Sequence, residues 1–87
     1  MLKLYMKATC PFSNIVIKAT EEIKVQLELL DITNDHKLRE ELIAKTGKKQ
    51  TPYLEDTEKG VAMHESLDII DYLAKNYGVN SLLKQSL

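Results

Sequence analysis

Leu2, Leu4 and Met6 alternate with Lys3, Tyr5 and Lys7, the two-residue period of a short strand, and the pattern breaks at Ala8-Thr9. From Pro11 onward Phe12, Val16, Ala19 and Ile23 recur at helical spacing, and proline suits the first helical position, where its missing N–H is not needed. This places Cys10 at the N-cap. The β-branched run Ile15-Val16-Ile17 has weak helix propensity, so the helix is predicted to rely on packing against a sheet. Val25, Leu27, Leu29 and Ile32 give a second strand, and Leu30, which breaks the alternation, predicts burial on both faces and an internal position. Asn34 or Asp35 can cap a second helix with Leu38, Leu42 and Ile43 on one face, and Gly47 can supply its left-handed C-terminal residue. After the basic loop Lys48-Lys49-Gln50, Tyr53-Leu54-Glu55 reads as a strand, Asp56 to Gly60 as a turn, and Val61-Ala62-Met63 as the antiparallel partner. Ser66 is predicted to cap a last helix whose Leu67, Ile70 and Leu73, with Ile69 and Tyr77, face the sheet and which stops at Gly78; Val79 to Leu87 form a tail or a further turn.

The order is βαβαββα. A strand-helix-strand start implies a right-handed crossover and a parallel pair, and the hairpin adds antiparallel strands beside it. The expected fold is therefore α/β, a four-stranded mixed sheet flanked by helices. At 87 residues the chain holds one domain, spanning 1–87, and too little for two cores. A net charge of −1 with acids and bases interspersed gives neither the basic field of a nucleic-acid binder nor an acidic disordered block. No apolar run approaches the roughly 20 residues of a membrane span, and Met1-Leu2-Lys3-Leu4-Tyr5 lacks the character of a secretory leader. With one cysteine and so no internal disulfide, the expectation is a soluble, monomeric, cytoplasmic protein.

That cysteine, Cys10, has two readings. A lone intracellular cysteine is commonly a small buried hydrophobe. At a helix N-terminus, however, unpaired amide N–H groups and the helix dipole favour the thiolate, the nucleophilic form. Lys7, at the strand end, either adds positive charge on the same side or is simply solvated. In a C-x-x-C pair a second thiol would resolve a mixed disulfide; here Ser13 occupies that place, and its hydroxyl can hydrogen-bond Cys10 but cannot close a disulfide. A second molecule must supply the resolving thiol. Neither His36, in the first turn of a polar helix, nor His64, at a strand end, reads as a catalytic base, and two histidines without a second cysteine offer no zinc site.

Cys10-Pro11-Phe12-Ser13 after the first strand, Gln50-Thr51-Pro52 before the third, and Met63-His64-Glu65-Ser66 at the last helix together resemble a glutaredoxin of the thioredoxin-like fold, over residues 2 to 78. The closest resemblance is to the N-terminal domain of glutathione-transferase-like bacterial glutaredoxins. Two departures stand out: Ser13 replaces the usual second cysteine, and the all-helical second domain of the transferase-like forms is expected to be absent.

The resemblance implies glutathione as co-substrate, with no bound cofactor and no metal. Ser66, with Glu65 before it, would hold the γ-glutamyl end through a hydroxyl, backbone N–H groups and an ion pair to the ammonium; a plain helix cap is the alternative. Thr51-Pro52 resembles the cis-proline turn of these folds, where the Thr51 backbone pairs with an extended peptide; a trans edge-strand proline is the alternative. Lys7 and Arg39 are the first candidates for the glycine carboxylate, with Lys48, Lys49 and Gln50 as others. Phe12 either shields the sulfur and offers an apolar edge to a substrate or belongs to the helix core.

The activity so implied is that of a monothiol, glutathione-dependent disulfide oxidoreductase. Cys10 would act on glutathionylated proteins or small mixed disulfides, and Ser13 would modulate the nucleophile. Two alternatives remain open: an iron-sulfur cluster carrier using Cys10 and glutathione, against which Pro11 argues by reshaping the loop, and a non-catalytic glutathione-binding module.

Overall fold

The computed structural model describes residues 1–77. Its elements are β1 (Leu2–Met6), α1 (Pro11–Ile23), β2 (Glu28–Asp31), α2 (His36–Thr46), β3 (Tyr53–Asp56), β4 (Val61–Met63) and α3 (Ser66–Tyr77), the predicted βαβαββα order. One mixed sheet runs β2-β1-β3-β4. β1 pairs in parallel with β2, Leu4 opposite Leu29, and antiparallel with β3, Leu4 opposite Leu54 and Tyr5 opposite Tyr53. β4 closes the other edge against β3. This is the thioredoxin-like arrangement. The expected stop at Gly78 and the segment from Val79 onward lie outside the described residues.

The single core expected of 87 residues is divided by the sheet into two clusters, one on each face, because helices pack on both sides of it. Leu4, Met6, Val16, Leu54, Ile69 and Leu73 form one, under α1 and α3; Tyr5, Ile32, Leu42 and Tyr53 form the other, under α2. The strands buried on both faces are thus the two internal ones, β1 and β3. The sequence pattern assigned that position to β2, which instead lies at an edge with Leu29 48% exposed. Leu30 packs against the α2-side core, whereas Leu29, on the other face, is half exposed. The tyrosine that made β1 look amphipathic is fully buried, with its hydroxyl donating to Glu41 of α2 at 3.0 Å. A buried phenol needs such a partner, and α2 supplies it.

Helix ends follow local chemistry with one exception. Asp35, rather than Asn34, caps α2 by accepting from the Leu38 N–H at 3.0 Å, and Gly47 ends that helix at φ 82°, a conformation open to residues without a Cβ. In α3, Ser66 is the first helical residue, and the carbonyl of Glu65 accepts the first helical bond from Ile69 N–H at 2.8 Å, so Glu65 holds the cap position expected of Ser66. The buried stripe of α3 is Ile69 and Leu73, and Leu67, expected to face the sheet, is 75% exposed. Among the described residues no helix is long and apolar enough to cross a membrane.

A candidate thiol site beside a small pocket

The turn between β1 and α1 is tied down from both sides. Cys10 N–H donates to Lys7 C=O at 3.0 Å, and the Asn14 amide reaches back to Ala8 C=O at 3.1 Å. Pro11 opens α1 where a donor is not needed, and Cys10 is its N-cap, with extended backbone. Ser13 is fully buried, and its hydroxyl accepts from the Lys7 backbone N–H at 3.4 Å. The first turn of α1 therefore places a partly exposed thiol over a buried hydroxyl.

The third element of the site comes from 41 residues further on. The Thr51-Pro52 peptide is cis, as the sequence resemblance implies, and the Thr51 carbonyl accepts from the Cys10 Sγ–H at 3.8 Å. Partial burial pushes the Cys10 thiol up, but hydrogen bonds from the Ser13 and Thr51 side chains and from the Ser13 and Phe12 backbone N–H groups outweigh it, so the thiol lies below its ordinary value. The charge of Lys7 is not among the main causes of that shift. The buried-hydrophobe reading of Cys10 does not describe this environment.

Beside the thiol, Phe12, Gln50, Thr51, Pro52, His64, Glu65 and Ser66 line a pocket of about 130 Å³. Of the residues singled out in the sequence, the fold gathers Cys10, Phe12, Ser13, Thr51, Pro52, Glu65 and Ser66 in one place. Phe12 is 59% exposed at the pocket wall and so does not belong to the helix core.

Arg39 and Lys7 are not among the lining residues. The Arg39 guanidinium donates to the carbonyls of Ile32 and Thr33 at 3.1 and 2.8 Å and so braces the β2–α2 loop. Lys7 is exposed at the end of β1. Among the alternatives for that end of a ligand, Gln50 does line the pocket. His64 is the residue the sequence reading passed over: discounted as a base, it forms part of the pocket wall with its ring 4.8 Å from that of Tyr53. Its position directly before Glu65-Ser66 was the available signal.

The model of the glutathione S-transferase N-terminal domain matches residues 4–81. Comparison with curated proteins finds no sequence match. Among solved structures, a delta-class glutathione transferase of Nilaparvata lugens is 28% identical, with a TM-score of 0.74 over 95% of this chain and 39% of its own. The unclassified glutathione S-transferase 2 of Bombyx mori is 25% identical, with a TM-score of 0.75 over 90% of this chain and 36% of its own. The Omega 3C glutathione transferase of Trametes versicolor is 25% identical, with a TM-score of 0.72 over 87% of this chain and 33% of its own. The chain thus spans between about a third and two fifths of the length of these structures. With nearly its whole length matched to the family model, and the cis-proline, thiol turn and last-helix terminus assembled on that fold, this chain belongs to the glutathione S-transferase N-terminal domain family.

Proposed function

We propose that this domain binds glutathione and works as a monothiol, glutathione-dependent disulfide oxidoreductase through Cys10. The observation that carries the proposal is a thiol lowered below its ordinary pKa at the N-terminus of α1, in contact with Thr51, whose residue also walls the adjoining pocket. Glu65 and Ser66, at the start of α3, suit the charged γ-glutamyl end of the peptide. The Thr51 backbone suits its cysteinyl part, and the Gln50 amide, on the same pocket wall, suits a carboxylate.

In the cycle, the Cys10 thiolate attacks the glutathionyl sulfur of a mixed disulfide. The S–S bond to the substrate breaks, the substrate leaves as a thiolate that takes up a proton, and Cys10 carries the glutathionyl group. A second glutathione, as thiolate, attacks the glutathionyl sulfur and leaves as glutathione disulfide, regenerating the Cys10 thiolate. Ser13 confines the enzyme to this route because it cannot supply the second thiol.

The related structures bear the names of glutathione transferases, which favours a second reading: Cys10 would hydrogen-bond the thiolate of bound glutathione while it attacks an electrophile. The two differ in what they require at position 10. Disulfide exchange needs a sulfur that forms a bond, whereas the transferase role needs only a donor, which serine provides. Cys10→Ser should abolish glutathione-dependent reduction of a small mixed disulfide, as well as the mass increase on exposure to glutathione disulfide. Retained mixed-disulfide reduction in Cys10→Ser would sink the oxidoreductase reading; conjugation of an aryl halide by that variant would establish the other.

A further inference from the structure

His64 joins β4 to α3, and its ring is held against Tyr53 with centroids 4.8 Å apart and planes at 43°. Its Nε2 is buried and has no hydrogen-bond partner, the one side-chain nitrogen or oxygen in that condition among the described residues. A phenyl ring would keep the packing on Tyr53 without leaving a polar atom unpaired, so the imidazole costs stability where it stands. The same residue forms part of the pocket wall, together with Pro52, Glu65 and Ser66.

Burial first, and then the charge of Lys48, hold the imidazole towards its neutral form against the smaller pull of Glu65. A neutral imidazole has one donating and one accepting nitrogen, and so can pair with either a carboxylate or an amide. Tyr53 packs against the ring, and among the described residues no group pairs with Nε2.

Resting on the reading that this pocket takes glutathione, we propose that His64 is a ligand-binding residue whose Nε2 completes its hydrogen bonding on a carboxylate or amide group of the γ-glutamyl peptide. The residue is then a specificity element: it rewards a peptide with a polar group at that depth and penalises an apolar occupant, which would leave the nitrogen unpaired.

The test uses S-methylglutathione, which cannot react with Cys10, and compares wild type with His64→Phe and His64→Gln. Expected are a change in the His64 Nε2 ¹⁵N resonance on titration and roughly tenfold weaker binding by His64→Phe, the loss of about one hydrogen bond. His64→Gln should recover part of the affinity, and His64→Phe should melt no lower than wild type, since it removes an unpaired buried atom. Wild-type binding with equal affinity in His64→Phe and an unmoved ¹⁵N resonance would overturn the role of His64 and leave the Cys10 chemistry standing. A His64→Phe variant that melts lower yet binds equally would assign the residue to structure alone. Failure of wild type to bind S-methylglutathione at all would remove the glutathione reading of the pocket and this inference with it.

Discussion

The Cys10 Sγ lies 3.8 Å from the carbonyl oxygen of Thr51, a contact between the first turn of α1 and the residue preceding the cis-proline. It sets the thiol beside a pocket built largely from the second half of the chain. Its reactivity is set by hydrogen bonds to groups on both segments.

Because the Cys10 pKa is lowered, the thiolate fraction at neutral pH exceeds that of a free cysteine, whose pKa is about 8.5. Iodoacetamide alkylation against pH should give a midpoint below that value. Ser13→Ala removes one donor to the sulfur and should move the midpoint upward. The alkylation rate at pH 7 should fall by roughly two- to tenfold, one pKa unit being worth about a factor of ten in thiolate. Identical midpoints in the two proteins would show that the buried hydroxyl does not act on Cys10.

Ser13 is buried directly beneath the thiol turn, three residues from Cys10 on one face of α1. Ser13→Cys should therefore form an internal disulfide in oxidising glutathione, detected as a loss of two mass units and of both free thiols. Protein-disulfide reductase activity should appear, and deglutathionylation should stay level or fall. A persistent glutathione adduct on Cys10 without ring closure would show that position 13 does not confine the cycle.

Asp56 is almost fully buried at the end of β3. It accepts from the Tyr72 hydroxyl at 2.6 Å, from the Tyr77 hydroxyl, and from the backbone N–H groups of Glu58 and Lys59. Burial pushes its carboxyl up, but these four donors outweigh burial and bring it below the usual range. A carboxylate with a lower pKa folded than unfolded stabilises the fold fully above the unfolded value of about 3.9, and that contribution is lost as pH falls through the folded value. Asp56→Asn should cost about 2–3 kcal/mol at pH 7 by urea denaturation, because an amide puts a donor where donors converge. The difference from wild type should shrink below pH 4. A constant difference between pH 7 and pH 3 would contradict the ionised assignment.

The cap of α2 gives a smaller, local test. Asp35→Ala should cost about 1 kcal/mol, since it leaves the Leu38 N–H without its acceptor, and Asn34→Ala should cost close to nothing. Equal losses at the two positions would mean that the cap is shared.

The sequence by itself determined the elements and their order, because strand alternation in Leu2–Met6, the proline at the start of α1 and the glycine at the end of α2 are local signals acting over a few residues. It also marked the thiol turn, the cis-proline dipeptide and Glu65-Ser66 as the parts of a site, through their resemblance to a known arrangement. Which strand lies inside was decided only in three dimensions. A tyrosine counts as half-polar in a pattern, and only the approach of Glu41 on α2 lets Tyr5 be buried whole. Arg39 looked available for a carboxylate because its charge is visible in the sequence, while the carbonyls of Ile32 and Thr33 that occupy it depend on how the β2–α2 loop turns. His64 shows the same limit from the other side: a histidine at a strand end carries no mark of function until the fold buries one of its nitrogens without a partner at the wall of a pocket. Propensity and capping act between near neighbours in the chain, whereas the burial and pairing of polar groups depend on contacts that close only when distant segments pack.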